Sequence, residues 1–230
     1  MSRTDEVVDG IKKMILDGRL HPGDRLPVEK ELATELGVSR GSLREGVRAL
    51  SILGVLDTRQ GDGTYVTSLD PERLLAPMGF VVDLHGQSGA ESFHAVRRLL
   101  ETEAAGLAAR SIDAAGLAEA RAILDSATAA LEEQPLDHER LLEMDIAFHR
   151  VIAAAAGNPV LAALVESLAS RTVRARLWRS QADDDVARRT HDEHEQVLAA
   201  LAAGDPDRAR LRMGVHLLGV EDFVHGSEQD

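Results

Sequence analysis

The chain has 230 residues, of which 44% are hydrophobic and only 3% aromatic, a composition that suits close-packed helices better than a β-sandwich. The chain has no cysteine, which excludes disulfide bonds and thiolate metal ligands. Its first residues are polar, and no apolar run approaches the roughly 20 residues that span a bilayer. We therefore expect a soluble cytoplasmic protein with no membrane partner. The net charge of −13 lies almost wholly in residues 70–230 (16 Lys and Arg against 28 Asp and Glu), whereas residues 1–69 hold 10 against 11 and can still contact DNA through a basic face.

Three helices are predicted at the beginning of the chain. Apolar residues recur at helical spacing over residues 4–17, where Thr4 can cap the helix. A short helix over residues 28–36 stops at Gly37, and Ser39 caps a longer helix that carries two glycines. The spacing therefore predicts two helices joined by a sharp turn, which is the core of a helix-turn-helix.

A change of period follows the third helix. Residues 55–59 and 64–67 alternate as two short strands, and residues 60–63 form the tight turn between them. Three helices followed by a hairpin predict a winged helix-turn-helix domain over residues 1–69, and the proline-punctuated residues 70–77 are expected to be a linker.

Residues 78–230 are helical in period throughout. Helix stop signals followed by capping residues recur at five places, the first at Ser111–Asp113 and the last at Gly204–Pro206. This pattern predicts an antiparallel bundle of about six or seven helices. The expected fold class is mainly α, with a winged helix-turn-helix followed by an all-α bundle.

The start of the third helix carries the residue types that read DNA. Arginine can bind guanine with a bidentate fork, and serine hydroxyls suit phosphates or bases. Glycines in the hairpin turn allow the backbone to approach a phosphate or the minor groove closely. The candidate DNA-binding residues from this pattern are Ser39, Arg40, Ser42, Arg44 and the turn glycines Gly61 and Gly63.

A second group of residues has the composition of a divalent-metal site. Asp145 and His149 lie four residues apart on one helix face, and His194 and His216 follow on two later helices. Carboxylate and imidazole ligands suit Zn²⁺ or Ni²⁺, and Mn²⁺ less readily. His191, one turn before His194, is interpreted as a residue at the rim of the site.

The first domain resembles the GntR-type family of bacterial transcription regulators. The resemblance rests on LHPGDRLP (residues 20–27), ELA (31–33), LGVSR (36–40), LRE (43–45), GVL (54–56) and GDGTYV (61–66). It implies that Arg40 and Arg44 are the main base readers and that Gly63 lies near the minor groove. Lys30 stands where the family usually has a DNA-contacting arginine; it keeps the charge but lacks the planar fork.

The second domain resembles the FCD ligand domain of FadR-like regulators. The resemblance rests on VRRLLETEAA (residues 96–105), DIAFHR (145–150), AGNP (156–159), EHEQVLAAL (193–201) and HL (216–217). It implies a metal bound by Asp145, His149, His194 and His216. It also places Arg97 toward the cavity, either as a clamp for an effector carboxylate or in an ion pair with Glu101.

We also predict the surroundings of other histidines and arginines. Arg98 is expected to be solvated, and His85, His94 and His138 to be exposed. One helix carries a cluster of arginines that either pair with the acidic surface or line the pocket, namely Arg171, Arg174, Arg176 and Arg179.

The favoured interpretation is a metabolite-responsive transcription regulator rather than an enzyme. It would bind a palindromic operator in double-stranded DNA as a homodimer, and a small organic acid would be its effector at the metal site. A metal-dependent hydrolase or lyase is the first alternative, since Asp/His₃ sites also do chemistry, but no separate nucleophile or general-base motif accompanies it. A DNA-binding protein with a purely structural metal is the second.

Overall fold

The computed structural model describes residues 2–78, 80, 90–169 and 184–227. The chain divides into two compact units, residues Met1–Pro77 and Met78–Asp230. Each unit has its own buried apolar cluster. Among the described residues, no helix is long and apolar enough to cross a membrane.

The first unit contains three helices and a two-stranded hairpin. The helices are α1 (Arg3–Leu16), α2 (Glu29–Glu35) and α3 (Arg40–Ile52). The hairpin pairs β1 (Leu56–Arg59) with β2 (Gly63–Val66) in antiparallel register. This order confirms the predicted winged helix-turn-helix.

The ends of the helices follow from capping side chains. Ser39 is the N-cap of α3, as predicted, and its hydroxyl accepts a hydrogen bond from the Ser42 amide at 3.0 Å. The prediction for α1 was wrong by two residues: Ser2, not Thr4, is the N-cap, because Ser2 and Asp5 form a reciprocal capping box. Gly37 ends α2 with a φ of +67°, a conformation that glycine adopts without strain.

The core of the first unit joins every one of these elements. Helices α1 and α3 bury their apolar faces against each other. Residues of the hairpin and of the loop between α1 and α2 cover the remaining side of this core. The loop is fixed to the hairpin by an isolated bridge between Arg25 and Tyr65. The buried cluster consists of Val7, Ile11, Met14, Leu20, Leu26, Leu32, Ala33, Leu43, Leu50, Leu56 and Val66.

The segment expected to be a plain linker contains a short helix, α4 (Pro71–Leu75). Proline is favourable at the first helical position, since its missing N–H would have no partner there, and this residue begins the turn. The sequence predicts that Pro71 interrupts regular structure, whereas in the structure this residue starts a helix.

The second unit consists of six helices in the part that the structure describes. They are α5 (Ala90–Ser111), α6 (Ala114–Glu132), α7 (His138–Ala155), α8 (Pro159–Ala169), α9 (Asp184–Ala202) and α10 (Pro206–Ser227). The helix boundaries coincide with the predicted breaks, apart from the one at residues 181–183, which lies outside the described residues. The all-helical fold class is therefore confirmed.

Helix α5 packs most extensively against α10, and the two run antiparallel. The direction follows from ion pairs, since Arg98 near the start of α5 meets Glu221 late in α10, and Glu103 meets Arg210. Alanines on the inner face of α5 allow this close approach. The core around them contains Phe148 and Ile152 of α7 and Met213 of α10.

Gly46 provides a test of the packing between α1 and α3. A Cβ atom at Gly46 would lie 2.4 Å from Val7 Cγ1, so Gly46→Ala should lower the free energy of unfolding by roughly 1–3 kcal/mol through overpacking. Gly41 is the matched control in the same helix, because a Cβ there would meet only Ser39 Oγ at 3.7 Å. Gly41→Ala should be neutral or stabilising by up to ~1 kcal/mol. Urea unfolding measures both, and equal effects of the two substitutions would contradict the packing argument.

Candidate metal centre and nucleic-acid interface

Three helices of the second unit bring one carboxylate and three imidazoles together. Asp145 and His149 project from adjacent turns of α7, His194 from α9 and His216 from α10. Their four candidate ligand atoms all lie within 4.8 Å of one another, and the three histidines are buried. These are the four residues that the sequence singled out as metal ligands.

The distances between these atoms fit the ligands of one ion. His216 Nε2 lies 3.2 Å from Nε2 of both His149 and His194. Asp145 Oδ1 lies 3.4 Å from His194 Nε2 and 3.8 Å from His149 Nε2. An ion about 2.1 Å from each ligand spaces neighbouring ligands by roughly 3.0–3.5 Å at angles between octahedral and tetrahedral values. A single divalent ion can therefore contact all four groups.

Carboxylates behind two of the histidines set the direction of their nitrogens. Nδ1 of His149 hydrogen-bonds Glu101 of α5, and Nδ1 of His216 lies 2.9 Å from Oε2 of Glu193. When each Nδ1–H donates to its carboxylate, each Nε2 presents a lone pair to the centre of the cluster. Two lone pairs 3.2 Å apart repel each other unless a cation lies between them, so the donor chemistry fits a bound metal.

Glu101 and Glu193 were not identified in these roles from the sequence. Their partners are distant along the chain, so no spacing rule connects them. One signal was present for Glu101: it falls on the apolar inner face of α5, beside buried Ala104 and Ala105, where a carboxylate needs a partner.

A small cavity of about 60 Å³ adjoins the cluster. The polar residues that line it are Asp145, Thr190, His191 and His216. Its walls are mostly apolar and include Leu141. At about 30 Å³ for each water molecule, the volume accommodates roughly two waters. His191 lines the cavity but does not belong to the cluster of four. Its Nε2 lies 3.0 Å from Thr128 Oγ1.

Arg97 is fully buried on the inner face of α5. Its Nε donates to Glu101, so the ion pair that the sequence suggested as one alternative is present. Its two terminal nitrogens are also buried and have no hydrogen-bond partner among the described residues. Arg97 does not belong to the residues that line the 60 Å³ cavity. Two unsatisfied guanidinium nitrogens remain for an acceptor.

Three expectations for individual residues were wrong. His94 is buried rather than exposed, because it occupies the same inner face of α5 as Arg97. His138 is half-buried at the start of α7. Arg98 is paired rather than simply solvated, since its Nε lies 2.8 Å from Glu221 Oε1 across the α5–α10 contact. His85, Arg171, Arg174, Arg176 and Arg179 lie outside the described residues.

The predicted DNA-reading residues lie at the exposed ends of α2 and α3. Lys30, Arg40 and Arg44 are exposed, as a DNA contact requires. The Ser39 hydroxyl is already used as the helix cap and lies 2.9 Å from the Ser42 hydroxyl. The two serines therefore fix the first turn of α3, from which Arg40 projects.

Arg44 is held by Glu29 of α2 in the free protein. Arg44 Nε lies 3.0 Å from Glu29 Oε1, and Nη2 lies 2.9 Å from Oε2, so the fork binds both carboxylate oxygens. These hydrogen bonds lower the pKa of the Glu29 carboxyl below its ordinary value. Both side chains are exposed, so the pair contributes little stability and can exchange for a base or phosphate.

A groove of about 710 Å³ separates α2 and α3 from the wing. Arg25 contacts the wing at Gly63: a Cβ there would lie 2.5 Å from Arg25 Nε, and Gly63 has a φ of +150°. Of the four arginines that line the groove, only Arg44 is predicted from the sequence to bind DNA. The others are Arg25, Arg48 (one turn after Arg44) and Arg59, which covers the Tyr65 ring at 4.3 Å.

Both units match known domain families. Residues 3–66 match the family described as bacterial regulatory proteins, gntR family, and residues 92–219 match the FCD domain. The second match alone covers more than half of the chain.

Curated relatives match along nearly the whole chain. The HTH-type transcriptional regulator LutR of Bacillus subtilis is 33% identical over 93% of this chain and 97% of its own length. The Exu regulon transcriptional regulator of Escherichia coli is 31% identical over 96% of this chain and 83% of its own. Among solved structures, Streptococcus agalactiae GntR is similar, with a TM-score of 0.71 and 25% identity over 95% of this chain and 99% of that one.

Replacement of single ligands tests the metal centre. We expect the purified protein to carry about one divalent ion per chain, held by four protein ligands. Asp145→Ala, His149→Ala, His194→Ala and His216→Ala should each release most of this ion, because each removes a donor atom from the cluster. His191→Ala is the matched control and should retain it. Elemental analysis measures the content, and full retention in both the His194 and His216 variants would contradict the ligand set.

Proposed function

This chain belongs to the gntR family of bacterial regulatory proteins and has an FCD domain. We propose that it is a transcription regulator whose affinity for DNA responds to a small organic acid bound at a divalent-metal site. The observation that carries the proposal is the convergence of Asp145, His149, His194 and His216 in a chain whose other unit is a winged helix-turn-helix. Such a regulator acts where the chromosome is, in the cytoplasm.

The first unit binds double-stranded DNA in this proposal. Arg40 and Arg44 read base edges from the start of α3, while Lys30 binds a phosphate as a point charge. The backbone at Gly63 approaches the minor groove. The groove arginines Arg25, Arg48 and Arg59 add positive charge between helix and wing, which supports binding of the DNA backbone in this region.

A homodimer on a palindromic operator completes the DNA-binding part of the proposal. A single recognition helix reads one half-site, and two copies related by a twofold axis read two. Helices α5 and α10 leave apolar side chains exposed on their outer faces, and we assign this patch to contact with a second copy. The exposed apolar residues are Val96, Leu99, Leu211, Val215 and Leu218.

The second unit holds the metal and the effector. Zn²⁺ fits the three imidazoles and one carboxylate best, and Ni²⁺ and Mn²⁺ are the alternatives. The 60 Å³ cavity beside Asp145 and His216 supports a small acid, whose carboxylate would occupy an open metal position.

Arg97 is the proposed clamp for a second polar group of the effector. Its two terminal nitrogens, which have no partner within the described ranges, support this role. Because Arg97 does not line the cavity, direct contact requires α5 to shift relative to the ligand, and such a shift is what an allosteric ligand stabilises.

The enzymatic alternative has less support. The relatives compared above are named as transcriptional regulators, and a hydrolase or lyase would leave the winged helix-turn-helix without a role. A purely structural metal is distinguished from an effector site by the ligand response below.

Loss of single arginines tests DNA reading. Arg40→Ala and Arg44→Ala should each weaken binding to the cognate duplex by roughly 1–3 kcal/mol and relax base preference, since each removes a guanidinium that is proposed to bind a base edge. Arg150→Ala is the matched control, because Arg150 also forms a surface fork with a glutamate, Glu166, but lies in the other unit. Selection from random duplexes, followed by fluorescence anisotropy, gives motif and affinity. Failure to enrich any motif would contradict the proposal.

A panel of small organic acids tests the effector site. An effector should raise the melting temperature of the metal-loaded protein and change its affinity for DNA, because it binds two conformations with different strength. Arg97→Lys should weaken this response while leaving DNA binding without effector intact, since lysine keeps the charge and loses the fork. An acid that stabilises the metal-stripped protein as strongly as the loaded one would contradict binding at the metal.

A further inference from the structure

Three buried side chains form a continuous hydrogen-bonded chain from α5 to the metal cluster. Arg97 Nε donates to Glu101 Oε1, and Glu101 Oε2 accepts from His149 Nδ1. The three residues are 1%, 2% and 2% exposed. Both carboxylate oxygens of Glu101 are thus engaged, one on each side.

The position of Glu101 makes it an orienting group for His149. A carboxylate that accepts the Nδ1 proton fixes the ring and directs Nε2 toward the cluster. A carboxylate with no fixed partner on its other oxygen can rotate about its terminal bond. The bond from Arg97 removes that freedom and supplies the opposite charge that a buried carboxylate requires.

We propose that Arg97 is a positioning residue for the metal centre, acting through Glu101 on His149. The inference rests on the proposed metal site and gives Arg97 a role that does not depend on any effector. Metal affinity should therefore depend on a residue that contributes no atom to the cluster itself.

The same arrangement connects metal and effector. The terminal nitrogens of Arg97 have no hydrogen-bond partner among the residues that the structure describes. An anion bound to them would alter the partner of Glu101, which in turn orients a metal ligand. Ligand and metal then influence each other's binding by equal factors, since coupling between two bound species is reciprocal. The site would sense the acid through the same arginine that stabilises the metal.

Titration with Zn²⁺ against a chromophoric chelator, in the absence of DNA and organic acid, measures the effect. Glu101→Gln should weaken Zn²⁺ binding by about 10–100-fold, as loss of an outer carboxylate does. Arg97→Met should weaken it in the same direction. The double variant should bind Zn²⁺ no more weakly than Glu101→Gln alone, because Arg97 acts only through Glu101.

Two further variants separate positioning from general damage to the bundle. Arg97→Lys should recover most of the Zn²⁺ affinity lost in Arg97→Met, since an ammonium can still hold Glu101. Arg98→Met is the matched control, because Arg98 is the next residue of α5 and pairs with Glu221 instead. It should leave Zn²⁺ affinity unchanged. The visible spectrum of the Co²⁺-substituted protein should change in Glu101→Gln and Arg97→Met and stay constant in Arg98→Met.

Additive losses in the double variant, or losses in Arg97→Met no larger than in Arg98→Met, would overturn the inference. These outcomes differ from failure of the proposed metal site, in which the wild-type protein itself would bind no Zn²⁺. They also differ from failure of the effector proposal, since no organic acid is present.

Discussion

The mutual approach of three imidazole nitrogens and one carboxylate is the constraint on which the second unit depends. His149, His194 and His216 direct Nε2 atoms to one point, and two of these rings are fixed from behind by Glu101 and Glu193. The atoms come from α7, α9 and α10, and Glu101 adds α5. Four helices therefore meet at a point that is electrostatically unfavourable without a cation. A divalent ion held by all four groups, as proposed, would replace this repulsion with attraction.

The rest of the bundle is suited to bringing polar groups so close. Alanines such as Ala105 and Ala108 on α5 allow helices to approach, while Phe148 fills the space beside the cluster. A buried polar network is stable only when its members are satisfied. The terminal nitrogens of Arg97 have no hydrogen-bond partner in the part of the chain that the structure describes, which makes them the least satisfied members of this network.

Much of the fold and of the candidate metal site could be predicted from the sequence, because the patterns that indicate them lie within short segments of the chain. The spacing of Asp145 and His149, the cap at Ser39 and the glycines of the hairpin each act within a few residues. The signals that failed were of two kinds. Both Ser2 and Thr4 are suitable N-cap residues for α1, and Ser2 takes this position because it forms a reciprocal capping box with Asp5. Glu101, Arg25 and the buried His94 depend on contacts between distant segments, which periodicity in one chain cannot place.

The central claim is that Asp145, His149, His194 and His216 together hold one divalent ion. Anomalous diffraction from crystals of the full chain grown with Zn²⁺, recorded above and below the zinc absorption edge, tests it most directly. We expect one anomalous peak inside the second unit, about 2.0–2.2 Å from Nε2 of the three histidines and a carboxylate oxygen of Asp145. A peak at His191 and Glu195 in place of the cluster would contradict the claim. So would the absence of a peak within the cluster in crystals whose zinc peaks elsewhere are fully occupied.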